Sequence, residues 1–440
     1  MDRRPVETLR ADVFIAGGGA AGVAAAVTAA RQGCRVVLAE RYGFCGGGAV
    51  AGLSGTICGL YDAADGNAPP AKVVHGFVDE FIDLMEARGG LSEPVRYGKT
   101  YTRVHDPLVW REAADALLAH ENIKVIFHAT VTETIMEGDR VVGAQLYTKE
   151  GKLRVLAPVT IDATGDADLA AMAGFETFMG DDGAVQNPTM IFRLMGVDTD
   201  RLRAAYGEDT IMPPRVSEMI ENAARQGYDL PRKKIWLFTT PRPGELICNC
   251  TRITGADGRE LNAALWRDFS EAETEGRKQM REYARFFRDH LDGCDDAFVN
   301  DTGVQVGVRQ TRQARGTATL MNDDVVTGAK FADGIARSPW PIELHSGERP
   351  RVEWLLNDVY EVPFGCFVPV RGEGLLTAGR CLSAQHEAVA SARVTAQCFS
   401  YGHAIGHAAA IVAKETIGIH DLEGCDIRKR LNEDGARLDD

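Results

Sequence analysis

The stretch DVFIAGGGAAGVAAAVTAARQGCRVVLAE, residues 12–40, leaves this chain little choice of fold. Val13, Phe14, Ile15 and Ala16 form an apolar run with no polar interruption, the pattern of a central parallel strand covered on both faces. Gly17, Gly19 and Gly22 follow as G-x-G-x-x-G and lead into an alanine-rich helical segment that ends near Arg31. The first glycine permits a sharp turn out of the strand. The second lets a pyrophosphate approach the backbone, and the third lets the helix lie close to the sheet. The helix N-terminus adds free N–H groups and partial positive charge for phosphates. A second apolar run from Arg35 to Ala39 ends in Glu40, where a carboxylate accepts from a ribose diol and repels a ribose phosphate. Strand, glycine turn, helix, strand and acid in this order predict a dinucleotide site, and the acid argues against NADP.

A chain of 440 residues exceeds one ordinary domain, which predicts two structural units. Its formal net charge of -14 repels phosphate backbones and excludes nucleic acid as an expected partner. No apolar window reaches the length a bilayer needs and no signal peptide is evident, so no membrane partner is expected and the expected compartment is the cytoplasm. The 10 cysteines include no C-x-x-C pair and no cluster with zinc or iron–sulfur spacing. Cys248 and Cys250 in ELICNCTRI alternate as in a strand and share one face, which reads as packing.

Beyond Glu40, the glycine-dense RYGFCGGGAVAGLSGTICG keeps a backbone thin enough to pass against a flat ligand. Helical patterns follow over 72–88 and 107–121. Residues 124–165 alternate apolar and polar, with breaks at Glu137-Gly138-Asp139 and Glu150-Gly151. They read as an antiparallel meander running into a strand, a glycine and a helix. From about residue 175 the strand-like KKIWLFTT and ELICNCTRI accompany a long charged helix over 268–291, the signature of an inserted α+β domain. Small, glycine-rich material then returns, with a strand at 375–378 and a helix over 395–414. The expected fold is α/β: a Rossmann-like domain with a central parallel sheet and a meander (1–174), an inserted α+β substrate or capping domain (175–351), and a C-terminal return to the first domain (352–440).

Further βαβ units, the usual continuation in a nicotinamide dehydrogenase, are missing after Glu40. Five blocks, GGGAAGVAAAVTAARQG, RYGFCGGG, TIDATGDADLAAMAG, GVRQTRQARGTATLMNDDVV and LLTAGRCLSAQHEAVASARV, instead resemble the FAD-dependent oxidoreductases of the two-dinucleotide-fold superfamily, to which fumarate reductase flavoproteins belong. The resemblance spans nearly the whole chain and implies FAD as cofactor. It implies that Gly17, Gly19 and Gly22, with Ala20 and Ala21, hold the pyrophosphate and that Glu40 and Arg41 lie at the adenosine ribose. Cys45, Gly46 and Gly47 would pass near the isoalloxazine and Val131 near the adenine. Ala163, Thr164, Gly165 and Asp166 would form a second flavin-contacting turn, and Gly379 and Arg380 would approach the ribityl and pyrophosphate. A helix beginning near Ser391 would aim its positive end at the flavin, where reduction builds negative charge. Two departures stand out. The family's R-E-S-R-R reads Arg309-Gln310-Thr311-Arg312-Gln313 here, and GHAIGHAAA replaces G-Q-A-A-G, so His403 and His407 depart from the family pattern and read as packing residues rather than catalysts.

Flavin chemistry requires a substrate near N5 and one managed proton. His386, six residues after Arg380, is the first candidate for general acid–base catalysis or substrate hydrogen bonding, with a structural hydrogen bond as its alternative. Arg393 is a candidate for holding an anionic substrate or the reduced flavin. Arg309, His345 and Arg193 are candidates reaching over the ring from the inserted domain, and Tyr97 and Tyr101 are candidate lining residues. Cys45 offers a thiol for a covalent flavin bond. The expected activity is two-electron oxidation or reduction of a small organic substrate, of dehydrogenase or reductase type. The competing expectations are a flavin monooxygenase, and a flavoprotein subunit that docks onto a redox partner; a homo-oligomer fits the first reading.

Overall fold

The computed structural model describes residues 6–66, 68–180, 182–345 and 350–440. At its centre lies a five-stranded parallel sheet in the order Leu375–Thr377, Val159–Asp162, Val13–Ala16, Val36–Ala39, Ile123–Ile126. The strand Val13–Ala16 has later strands on both sides, so the order reverses there. Ligands of open α/β sheets bind in the crevice that such a reversal opens at the carboxyl ends of the strands. Val13–Ala16 and Val36–Ala39 are buried throughout, which is why both are unbroken apolar runs.

The helix Ala20–Arg31 packs against the long helix Thr395–Glu415. Small residues set the spacing: a Cβ on Gly402 would lie 2.1 Å from the Ala21 carbonyl oxygen, and one on Gly406 would lie 2.7 Å from Thr28 Cβ. Glycine here is a matter of space, because the backbones touch. This contact and the strand Leu375–Thr377 join the two ends of the chain into one body.

The expected meander is present as Thr130–Glu137, Arg140–Thr148 and Gly151–Leu156, and Glu7–Arg10 adds to its far edge in parallel. Residues 124–126, read as part of it, instead belong to Ile123–Ile126, the edge of the parallel sheet. That strand follows the helix Pro107–Leu118 and so completes a crossover; a half-exposed edge strand shows the same alternation as a meander strand. The helix expected over 72–88 runs only over Phe77–Ala87, and that over 107–121 is opened by Asp106, whose side chain accepts from the Leu108 N–H at 2.8 Å.

A second core gathers residues from Met190 to Val306. Its antiparallel sheet has the order Trp236–Thr239, Leu246–Asn249, Phe192–Met195, Phe298–Thr302. The helix Trp266–His290 lays Met280, Tyr283, Phe286 and Phe287 on that core, and Cys248 and Cys250 sit within it as packing groups. Residues Leu320, Val325, Ile335 and Ile342 pack with the first core instead. Among the described residues no helix is long and apolar enough to cross a membrane.

Candidate active site

The glycine turn is built by contact as much as by torsion. Gly17 has φ +101°, and a Cβ there would lie 2.4 Å from the Ala163 carbonyl oxygen. A Cβ on Gly22 would lie 1.9 Å from the Gly17 carbonyl oxygen, so the third glycine lets the helix close onto the turn. Gly19 caps the helix Ala20–Arg31 without a side-chain hydrogen bond, and the first helical turn carries no acid. Its N–H groups are left for an anion. Gly47, at φ +48°, faces it so closely that a Cβ would come within 2.9 Å of Gly19 Cα.

Glu40 is buried, and its carboxylate accepts from the Gly18 N–H at 2.7 Å and the Tyr42 N–H at 2.9 Å. Burial pushes its pKa up, and these hydrogen bonds oppose the shift. The acid therefore fixes the glycine turn while its edge still lines the cavity. Arg41 lines it too, bonded to the Gln305 side chain at 2.7 Å.

A second turn follows Val159–Asp162. The buried Asp162 carboxylate accepts from the Thr164 hydroxyl at 2.6 Å, the Thr164 N–H at 3.1 Å, the Leu169 N–H at 2.9 Å and the Ala170 N–H at 3.1 Å. These bonds shape Ala163, Thr164 and Gly165 into cavity wall. Arg380 reaches over this turn to Asp166 at 2.7 Å and to the Thr311 hydroxyl at 3.1 Å. Burial alone would raise the Asp166 pKa, but Arg380 and Thr311 bring it below the ordinary range. The altered fourth block thus keeps an ionic role, because Arg312 also pairs with Asp168. Gly379 sits beside Ala21, and the N-terminus of the helix Thr395–Glu415 opens onto the cavity at Val394 and Thr395 with no acid in its first turn.

At the inner end, the cavity is walled by Tyr97, Phe238, Trp340, Glu343, His345, Arg309 and Arg393. The Tyr97 hydroxyl donates to Glu343 at 2.9 Å, and Arg232 binds His345 Nδ1 from behind. A guanidinium only donates, so Nδ1 accepts and the imidazole proton lies on Nε2, 3.6 Å from the Glu343 carboxylate. Burial pushes the His345 pKa well down, and Arg309, Arg232 and Arg393 push it further. Burial raises that of Glu343 against the pull of Tyr97 and the arginines. Arg309 donates to the Asn187 carbonyl oxygen at 2.9 Å and the Asn249 amide oxygen at 3.4 Å. Among the described residues Arg393 reaches only the Gln186 amide oxygen, at 3.5 Å, and its buried Nε meets no partner. Burial brings the Arg393 pKa down to about 10. Gln186 Nε2 and both side-chain polar atoms of Asn187 are likewise buried and unpartnered.

Several expected residues stand elsewhere. Cys45 is fully buried beneath Gly18, where a Cβ would lie 2.5 Å from its sulfur, and it does not line the cavity. Burial raises its thiol pKa far above the usual range, which removes the basis for a covalent flavin bond. His386 opens the short helix His386–Ala392 beside Gly180, outside the cavity wall. The offset from Arg380 misled because Arg380 lines the cavity and His386 does not. Ser391 bonds to Tyr360 and to the Trp340 carbonyl within that helix, and the helix that points at the cavity begins at Thr395. Arg193 is held by Asp301 and Glu245, and Tyr101 donates to the Ala68 carbonyl at 2.9 Å; neither lines the cavity. Asp166 and Gly22 act behind the wall, whereas Gly17, Gly19, Ala20, Ala21, Gly46, Gly47, Val131 and Gly379 form it. The sequence reading missed Glu343, Trp340, Arg232 and Asn249. Glu343 was detectable, since it lies on the strand Ile342–Leu344 two residues before His345, the spacing at which extended chain puts both on one side.

A sequence model of the family described as FAD dependent oxidoreductase matches residues 12–431. The chain belongs to that family. Its cofactor is therefore FAD, and it is an oxidoreductase with an FAD-binding Rossmann-type fold. The structure is similar to a geranylgeranyl bacteriochlorophyll reductase-like protein from Thermoplasma acidophilum (12% identity, TM-score 0.49, 97% of this chain and 83% of that one). It is also similar to a p-nitrophenol 4-monooxygenase from Pseudomonas putida (12% identity, TM-score 0.48, 98% and 87%) and to a flavin-dependent brominase (14%, TM-score 0.45, 96% and 83%). No curated protein sequence matches the chain.

The cavity wall fits this family's cofactor. Two helix N-termini free of acids open onto it, and a Cβ on Gly48 would meet nothing within 4 Å, so the wall there is bare backbone beside open space. When bound, FAD supplies two-electron redox chemistry. Gly17, Gly19 to Ala21, Glu40, Arg41, Gly46 to Gly48, Ala163 to Gly165, Gly379 and the helix N-terminus at Thr395 would hold it.

Proposed function

We propose that the enzyme oxidises or reduces a small organic carboxylate, with two electrons exchanged between substrate and FAD. The observation that carries this reading is the pair Arg309 and Arg393. Arg309 is buried and Arg393 half-buried where they line the cavity, and their hydrogen bonds go to uncharged oxygens. The buried guanidiniums of Arg309 and, behind the wall, Arg232 and the half-buried one of Arg393 stand around the Glu343 carboxylate, the buried acid of this part of the wall among the described residues. Leaving such charge uncompensated in a low-dielectric site is costly, and an anionic ligand offsets it. Arg393 and Arg309 bind the carboxylate, and Phe238 and Trp340 exclude water around the reacting carbon. His345, with its proton on Nε2, and the Tyr97–Glu343 pair hold the proton that the substrate gains or loses.

Anaerobic mixing of the FAD-loaded enzyme with 2-hydroxy acids and α,β-unsaturated acids, beside their amides, tests this proposal. The acids should change the flavin absorbance and the amides should not. Arg393→Gln should lower kcat/KM for the acid by about 10–150-fold, the worth of one charge-assisted hydrogen bond, and leave FAD content unchanged. Amides that react as well as acids would defeat the carboxylate assignment. Oxygen-dependent consumption of NADPH with hydroxylated product would replace it with the monooxygenase reading.

A further inference from the structure

His403 and His407, in the GHAIGHAAA segment, do not line the cavity described above. His403 and His407 are four residues apart on Thr395–Glu415, which puts both on one helical face. Their side chains are 6% and 3% exposed, and both turn Nε2 toward the same oxygen of Asp434, at 3.1 and 2.9 Å. Asp434 is the residue that ends the last helix, Gly424–Glu433. The three ligand atoms lie within 4.8 Å of one another. Packing fixes the imidazoles: the two rings stand 5.2 Å apart, and that of His403 lies 6.2 Å from Phe77.

We propose that His403, His407 and Asp434 form a site for one divalent transition-metal ion, zinc foremost, that ties the C-terminal helix to the core. Two imidazole nitrogens and a carboxylate oxygen are the donor set of borderline cations. Bonds of about 2.0–2.1 Å to a tetrahedral ion would space donors roughly 3.3 Å apart; the Asp434 oxygen stands 2.9 and 3.1 Å from the two nitrogens, within tenths of an ångström of that, and all three donor atoms lie within 4.8 Å of one another. The Asp434 side chain is 46% exposed, which leaves the remaining coordination positions to water and gives the ion an entry path. Arg31, the cation that Asp434 influences from the neighbouring helix, is engaged by Glu80 at 2.7 and 2.8 Å, and Arg430 approaches from the last helix. Eight residues separate His403 from Thr395, about 12 Å along the helix, so the ion would be structural and take no part in the redox reaction.

The test uses untagged, FAD-loaded protein carrying Cys425→Ser, because that exposed thiol on the helix Gly424–Glu433 is a competing soft ligand. After dialysis against a chelator, zinc is titrated against a chromophoric competitor, and unfolding is followed by flavin fluorescence. One zinc per chain and a raised Tm are expected. Cobalt should give a visible d–d spectrum. His403→Gln/His407→Gln and Asp434→Asn should each weaken binding at least about 100-fold, with flavin absorbance and turnover unchanged. No rise in Tm at tenfold excess zinc, or unchanged stoichiometry in the double histidine variant, would overturn the site and leave a plain hydrogen-bonded latch.

Discussion

Asp162 shows how one side chain governs a turn. Burial raises its pKa to about 6 while four donors converge on its oxygens. The folded protein keeps this proton at pH values where the unfolded chain has released it. The contribution of Asp162 to stability is therefore greatest below the unfolded value, near 4, and declines as pH rises toward 6, by at most about 3 kcal/mol. Chemical denaturation across pH 4–7 should show this slope, and Asp162→Asn should flatten it. Glu40 poses a cofactor question at the same scale. Glu40→Ala strands the Gly18 and Tyr42 N–H groups and should weaken FAD binding about 10–100-fold, measured by flavin fluorescence quenching. Glu40 was legible in the sequence because it ends a strand after a glycine motif. Arg232 was not, because its site role is to orient His345 across 113 positions of sequence, and no local spacing reports such a contact.

Among the elements, the pairing of Ala20–Arg31 with Thr395–Glu415 decides where the second helix N-terminus points. Gly402 meets the Ala21 backbone directly, so Gly402→Val has no room and should destabilise the protein by about 1–3 kcal/mol or more while expelling FAD. Thermal unfolding and bound flavin, measured on the same sample, check both effects. Elements with a strong local period were readable: the first strand and helix, the turns of the meander, and the long helices at 266–290 and 395–415. Where two strand environments share one pattern, as at Ile123–Ile126, periodicity could not choose between them. Where a helix breaks at Arg393 and restarts at Thr395, an alanine-rich run concealed the break and displaced the expected N-terminus to Ser391.

At the level of the whole molecule, the cavity wall joins residues 16–58, 129–165, 189–309, 340–345 and 378–398. Ligand binding of that breadth favours the folded state everywhere at once. Free FAD at about 1,000 times its Kd adds about 4 kcal/mol of stability, so stripping the cofactor should lower Tm and expose the C-terminal segment to protease. The end of the cavity at Arg309 and Arg393 draws Tyr97 from the first third of the chain and Arg309, Glu343 and Arg393 from the last, which is why sequence alone named Tyr97, His345 and the arginines singly and missed Glu343 between them. The parallel sheet adds a temporal consequence. The strand Leu375–Thr377 and the helix at Thr395 leave the ribosome more than 350 residues after the glycine turn they complete. A nascent chain should therefore carry half of its nucleotide clamp until residues 375–415 emerge, and ribosome-bound chains of increasing length should begin to retain FAD only from that point.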